Sequence, residues 1–248
     1  MDLAGRTALV TGASLGIGRA TALALVRRGA RVKATGLEAG PLLELEGSCG
    51  AAVLAADLSD GAELERLIDW AGPVDLLVNA AGFGRYQALA DVAGDETLEM
   101  LAVNLAAPIR LTAALAPGMV ERGGGHLVYV ASVAGVVGVA REAVYSASKG
   151  GLIAFSESAR YELAGSGVGV TVVVPAVVAT SFFARRGAEY ARRFPRPLAP
   201  ARVAARLVLA VERGRPEVYV PRWTVVPARL RGGLPGVFRH AAARSMRA

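Results

Sequence analysis

The chain has 248 residues, 53% hydrophobic and 20% charged, with one cysteine and two histidines. That suits one large α/β domain with a sizeable core and excludes a disordered chain, a disulfide framework and a cysteine-based zinc site; His126 and His240 lack metal-ligand spacing, so no metal is expected. The net charge of +7 is uneven: residues 185–248 carry 15 arginines against Glu189, Glu212 and Glu217, on an acidic body, which directs any anionic partner to the carboxyl-terminal end.

Met1 to Gly5 shows no leader pattern, and no uninterrupted apolar run approaches the roughly 18 residues of a membrane span, so a cytoplasmic protein is expected. Thr7 to Thr11 is short, apolar and β-branched, as a buried strand is. Gly12-Ala-Ser-Leu-Gly16-Ile-Gly18 follows, then a helical pattern from Arg19 to Arg28 that stops at Gly29. Strand, glycine-rich turn and helix form the context in which a backbone approaches a pyrophosphate; a plain tight turn is the alternative. The second strand, Arg31 to Thr35, runs into Gly36-Leu37, where an NAD-preferring site usually places a carboxylate. Its absence removes repulsion against a 2′-phosphate. NADP(H) is therefore the expected preference, with NAD(H) possible; Lys33, Ser14 and Arg19 are candidates to meet the phosphate, each with an ordinary surface or capping role as the alternative.

A third strand, Ala51 to Ala56, leads to Asp57, and Ala62 to Trp70 reads as an amphipathic helix. Asp75 to Asn79 is a fourth strand ending in the small-residue turn Ala80-Ala-Gly82. Thr97 to Glu121 reads as a long helix that tolerates or bends at Pro108 and Pro117, with Asn104 in its apolar middle, either a satisfied core amide or a functional bend. The fifth strand, Gly125 to Ser132, leaves Ser132 at its carboxyl end, where open α/β sheets bind ligands. In the helix from Val144 to Leu163, Tyr145 and Lys149 stand one turn apart on one face. A fixed ammonium favours the phenolate and would tune Tyr145 for acid-base work. Lys33 and Lys149 are the only lysines among 28 basic residues, so a compact point charge looks selected at 149; a surface lysine beside a half-buried tyrosine is the alternative. A sixth strand, Val168 to Val174, a helix, Val203 to Glu212, and a seventh strand, Glu217 to Val220, complete a doubly wound parallel sheet in a single domain.

Thr11-Gly-x-x-x-Gly16-x-Gly18, Asp57, Asn79-Ala-Ala-Gly82, Asn104, Ser132 and Tyr145-x-x-x-Lys149, in this order and spacing, resemble the short-chain dehydrogenase/reductase family over about residues 5–220. The resemblance implies a Rossmann-type fold of about seven strands. It implies that Tyr145 exchanges the proton at the substrate oxygen, that Ser132 hydrogen-bonds that oxygen, that Lys149 lowers the tyrosine pKa and binds the nicotinamide ribose, and that Asn104 supports a water-linked relay to Lys149. Gly12, Ser14, Leu15, Gly16, Ile17 and Gly18 would surround the cofactor phosphates and ribose, Asp57 and Leu58 the adenine, Asn79, Ala80 and Gly82 the central strand end, and Pro175, Val178 and Thr180 the nicotinamide side. Ala80 stands where the family has a second Asn, and Pro175-Ala176 replaces the usual Pro-Gly. Neither touches the Ser-Tyr-Lys set, so an active enzyme on a carbonyl or secondary alcohol is implied, as a homodimer or homotetramer.

Residues 1–221 are read as the catalytic domain, with a substrate lid at about 180–200 in which Phe182 and Phe183 would line a pocket for an apolar group or pack beneath the lid. Residues 222–248 are a basic-apolar extension suited to peripheral contact with the inner face of an anionic membrane, an oligomer contact or a frayed terminus being the alternatives. Nucleic acid is not expected, because no recognised binding module accompanies the charge.

Overall fold

The computed structural model describes residues 1–190 and 195–246, with side chains as far as residue 240; Phe194 and the neighbouring arginines of the expected lid lie outside the described residues. Strands β1 (Thr7–Val10), β2 (Arg31–Gly36), β3 (Ala52–Ala55), β4 (Leu76–Asn79), β5 (Gly125–Val130), β6 (Val168–Pro175) and β7 (Glu217–Val220) form one parallel sheet in the order β3-β2-β1-β4-β5-β6-β7. The helices are α1 (Gly16–Val26), α2 (Ala39–Cys49), α3 (Gly61–Ala71), α4 (Gly94–Leu101), α5 (Ala107–Glu121), α6 (Val133–Val137), α7 (Ala143–Glu162), α8 (Phe182–Arg185), α9 (Pro200–Glu212), α10 (Val225–Gly233) and α11 (Pro235–Met246).

Side chains of the central strands alternate between two buried layers, as a period of two requires. Ala8, Val10, Leu76, Val78, Val128 and Val130 pack with Leu25 of α1, Leu42 and Leu45 of α2 and Leu207 of α9. Leu9, Leu77, Leu127 and Tyr129 face the other way, onto Leu64 and Leu67 of α3, Leu111 and Met119 of α5 and Leu152 of α7. Continuous apolar strands therefore serve two cores at once, each buried Leu or Val contributing roughly 1.5–3 kcal/mol.

Helices α6, α8, α10 and α11 add to the expected elements, and two further differences concern the helices packed on the sheet. The long helix is interrupted by a π-helical turn at Ala102–Ala106, where the Ala107 N–H bonds the Ala102 carbonyl five residues back. Pro108 has no N–H to give the carbonyl of Asn104, so the regular α-helical ladder cannot continue through it. Gly94–Glu121 as a whole is long and apolar enough to cross a membrane, but Leu111 and Met119 are wholly buried in the sheet-facing core, which makes it a core helix. The second difference is α2, masked in the sequence by Gly40, Pro41 and Gly47. Proline is tolerated in a first turn, and Leu42 and Leu45 are buried against the sheet.

β1 is flanked by β2 on one side and β4 on the other. Connections leave in opposite directions from this pair, opening a crevice beyond the carboxyl ends of β1 and β4.

Candidate active site

Two turns meet in that crevice at backbone distance. Thr11 Oγ1 accepts the N–H groups of Ala80 and Ala81, both at 3.1 Å, and so ties the turn after β1 to the turn after β4. Gly12 has φ +66°, and a Cβ there would lie 2.7 Å from the Ala81 Cα. On Gly18 a Cβ would lie 2.2 Å from the Gly12 carbonyl oxygen, and on Gly36 2.2 Å from Ser14 Oγ. Only glycine permits these approaches. Helix α1 starts here without a side-chain cap, so its first N–H groups and the positive end of its dipole remain for a phosphate. Gly12, Ser14, Leu15, Gly16, Ile17 and Gly18 all line one cleft of about 1040 Å³. That volume is at the upper end of the range of about 300–1000 Å³ usual for small-molecule sites and leaves room for a dinucleotide and a substrate together.

The same cleft reaches Ser132, Tyr145 and Lys149. Ser132 lies two residues beyond the end of β5 and caps α6, accepting the Ala134 N–H at 3.1 Å; its side chain also hydrogen-bonds Tyr145, which favours the phenolate. Burial outweighs that bond and pushes the Tyr145 phenol up to about 12. Lys149 is 4% exposed, its ammonium donates to the Val130 carbonyl at 3.0 Å, and burial pushes it down to about 8. The expected lowering of the tyrosine by the lysine is thus not what this arrangement shows: desolvation dominates both groups, and the ammonium is directed to a carbonyl. At neutral pH Tyr145 is a protonated phenol, the form that donates a proton to a substrate oxygen.

Asn104, wholly buried in the π turn, is a clamp. Its Oδ1 accepts the Phe83 N–H at 3.0 Å, and its Nδ2 donates to the Phe83 carbonyl at 2.8 Å and to Ser148 Oγ at 3.0 Å. It therefore joins the loop after β4 to α7, which carries Tyr145 and Lys149. Gly82 completes the contact, since a Cβ there would meet Asn104 Oδ1 at 2.8 Å and Lys149 Nζ at 3.0 Å.

The sequence model described as short chain dehydrogenase matches residues 6–191. The chain belongs to this family. An uncharacterized oxidoreductase of Myxococcus xanthus is 38% identical over 257 residues, covering 99% of both chains. The 3-oxoacyl-(acyl-carrier-protein) reductase FabG of Salmonella typhimurium is 38% identical over 186 residues, covering 73% of this chain and 76% of that one. Among solved structures, a short-chain dehydrogenase of Sphingobium yanoikuyae in complex with NADPH superposes with a TM-score of 0.82 at 26% identity, covering 93% of this chain and 96% of that one. A family member from Burkholderia phymatum in complex with NAD superposes with a TM-score of 0.84 at 27% identity, over 94% of each. This short-chain dehydrogenase is therefore an NAD(P)-dependent oxidoreductase acting between carbonyl and CH–OH groups.

Of the remaining residues expected to hold the dehydrogenase's cofactor, Asp57, Leu58, Ala80, Gly82, Pro175, Val178 and Thr180 line the cleft. Asn79 does not: it is buried at the end of β4, with neither amide atom hydrogen-bonded to protein. Two candidates for a 2′-phosphate are withdrawn. Lys33 donates to the Trp70 and Ala71 carbonyls, and Arg19 to the Pro41 carbonyl, neither lining the cleft. Ser14 remains, its hydroxyl on the Glu38 carbonyl at 3.3 Å.

Beyond Thr180, residues between Ser181 and Tyr190 contribute to the cleft wall, and Leu198 pairs beside them, its N–H reaching the Val177 carbonyl at 2.9 Å and its carbonyl accepting the Ala179 N–H at 2.8 Å. Phe182 contacts the Tyr145 ring at 5.2 Å between centroids, and Phe183 bridges Phe182 and Tyr190. No sequence pattern marked the charged knot beside them. Arg186 is ion-paired with Glu142, both buried, and its guanidinium lies over the Tyr86 and Phe183 rings at 4.9 and 4.6 Å. Nor did any pattern place Trp223, Thr224 and Pro227 in the cleft wall.

Proposed function

We propose that the enzyme reduces a hydrophobic or lipid-like ketone or aldehyde and prefers NADPH. The observation that carries this reading is the convergence of Ser132, Tyr145 and Lys149 on one end of a cleft whose further walls are Phe83, Val137, Val139, Phe182, Phe183 and Trp223. A nicotinamide, when bound, supplies hydride to the carbonyl carbon. Tyr145 delivers the proton to the carbonyl oxygen, Ser132 hydrogen-bonds that oxygen as charge develops, and Lys149 holds positive charge behind the phenol. Asn104 orients the helix that carries two of these groups. The glycine cradle around α1 would hold the pyrophosphate, and Asp57 and Leu58 the adenine end.

The cofactor preference is supported by the bare end of β2, Gly36-Leu37, which offers a 2′-phosphate no like charge; the nearest carboxylate, Glu38, is ion-paired with Arg185 of the lid. The similarity to a 3-oxoacyl reductase supports an acyl-chain ketone as substrate. Cytoplasmic homodimers or homotetramers fit the exposed apolar side chains Leu98, Val120 and Tyr161 on α4, α5 and α7, and the basic segment 222–248 suits a peripheral contact with an anionic membrane.

Tyr145→Phe should lower kcat with medium-chain ketones at least about a hundredfold while NADPH, titrated by its fluorescence, still binds. NADPH should bind more tightly than NADH. Retained turnover in Tyr145→Phe refutes the acid assignment, and tighter NADH binding refutes the cofactor preference.

A further inference from the structure

The exposed face of the carboxyl-terminal helices does not match the rest of the surface. Trp223, Val226, Leu230, Leu234 and Val237 are each more than two-fifths exposed. Val226 and Leu230 stand four residues apart on one face of α10, and Trp223 lies in the 3-10 turn just before it. Arginines 222, 229, 231 and 239 surround them, all exposed, and no acidic residue follows Glu217. An apolar ridge edged by these four arginines suits a surface that is apolar within and negative above. A second copy docked face to face would set these arginines against their own counterparts, which costs rather than stabilises.

The ridge is continuous with the active-site cleft. Trp223, Thr224 and Pro227 line the cleft, and Thr224 is buried at the start of α10. Arg231 donates to the Val136 carbonyl, fastening α10 to α6, the short helix that Ser132 caps. The cleft wall and the ridge are thus two sides of the same segment.

From this we infer that α10 and the start of α11 dock the enzyme on an anionic lipid surface, with the substrate end of the cleft next to the docking plane, so that a lipid-like ketone passes from the bilayer to Tyr145 along Trp223 and Pro227. The inference rests on the reading of the substrate as hydrophobic. Docking uses side chains outside the cleft, Val226, Leu230, Arg229 and Arg239, so it can be removed without touching the reaction.

The full-length enzyme is sedimented with vesicles of phosphatidylcholine alone and with vesicles containing one-third phosphatidylglycerol. The variants are Arg229→Glu with Arg239→Glu, and Val226→Glu with Leu230→Glu. The wild type should pellet with anionic vesicles and not with neutral ones, and the arginine pair should bind at least about 30-fold more weakly, at about 1 kcal/mol per removed charge near the surface. Both variants should keep wild-type kcat/KM on a short water-soluble ketone and lose the advantage on a long-chain ketone presented in vesicles. Equal pelleting of wild type and variants overturns the inference. So does a fall in solution mass of the Val226→Glu, Leu230→Glu variant by light scattering, which would make the ridge a subunit contact. Vesicle binding is read without turnover, so its failure is separate from failure of the ketone-reductase reading, which the short ketone reports.

Discussion

His126 shows what a single buried side chain contributes outside the site. It sits on β5 with its Nε2 2.7 Å from Thr171 Oγ1, and the Thr171 hydroxyl gives its own proton to the Arg215 carbonyl at 2.7 Å. The imidazole must therefore donate from Nε2, and burial pushes its pKa down from 6.5 to about 4, which keeps it neutral at pH 7. With the folded pKa below the unfolded one, the stabilisation is fully present above pH 6.5 and is lost as pH falls through 4. A shift of this size corresponds to about 3 kcal/mol. The difference in unfolding free energy between the wild type and His126→Gln should shrink by that order from pH 7 to pH 4 in urea titrations; a difference that does not change with pH would remove His126 from the acid response. At the active site the same physics limited the sequence reading. Spacing alone places Tyr145 one helical turn from Lys149, but the direction of the tyrosine shift depends on desolvation, which spacing does not report.

At the scale of elements, the proposed substrate lid is held by opposite charges that lie far apart in sequence. Arg186, just after α8, pairs with Glu142, the residue before α7. The loop after β4 joins them, because the Tyr86 N–H bonds the Arg186 carbonyl at 2.9 Å and the Gln87 N–H bonds the Arg141 carbonyl at 2.9 Å. Breaking one side of a buried pair costs about 3–5 kcal/mol, comparable with the lower part of a whole domain's margin of about 5–15 kcal/mol, so the segment with least buried surface should yield first. Glu142→Gln should raise KM more than it lowers kcat and should expose the bonds after Arg185 and Arg186 to trypsin. Exchanging the charges, Glu142→Arg with Arg186→Glu, should restore part of the protection; unchanged KM and trypsin resistance in Glu142→Gln would show that the pair does not hold the lid. None of this was legible beforehand, because no local pattern marks residue 142 as the partner of residue 186. The π turn was half legible: Pro108 announced a disruption, while the clamp that Asn104 makes on Phe83 and Ser148 required the tertiary contact.

For the whole molecule, the decisive geometry is the meeting of two turns at the point where strand order reverses. Gly12→Ala would place a methyl group against the Ala81 backbone and demand a left-handed residue, so the turns must separate. NADPH affinity should fall at least tenfold, with a lower Tm as the left-handed alanine costs about 1 kcal/mol or more; an unchanged affinity would show that the cradle does not depend on this approach. The strand pattern, the glycine spacing and the Ser-Tyr-Lys order were readable in one dimension, because periodicity and local turn chemistry are properties of neighbouring residues. By itself the sequence determined the parallel sheet and singled out the glycine turn and the Ser-Tyr-Lys set that we propose hold the cofactor and transfer the proton. Tertiary structure alone decided that Lys33 and Arg19 point away from the cleft, that Glu142 and Arg186 close over it, and that Trp223 belongs to its wall. These depend on which distant segments pack together and on how much water that packing removes, and no sequence interval encodes either.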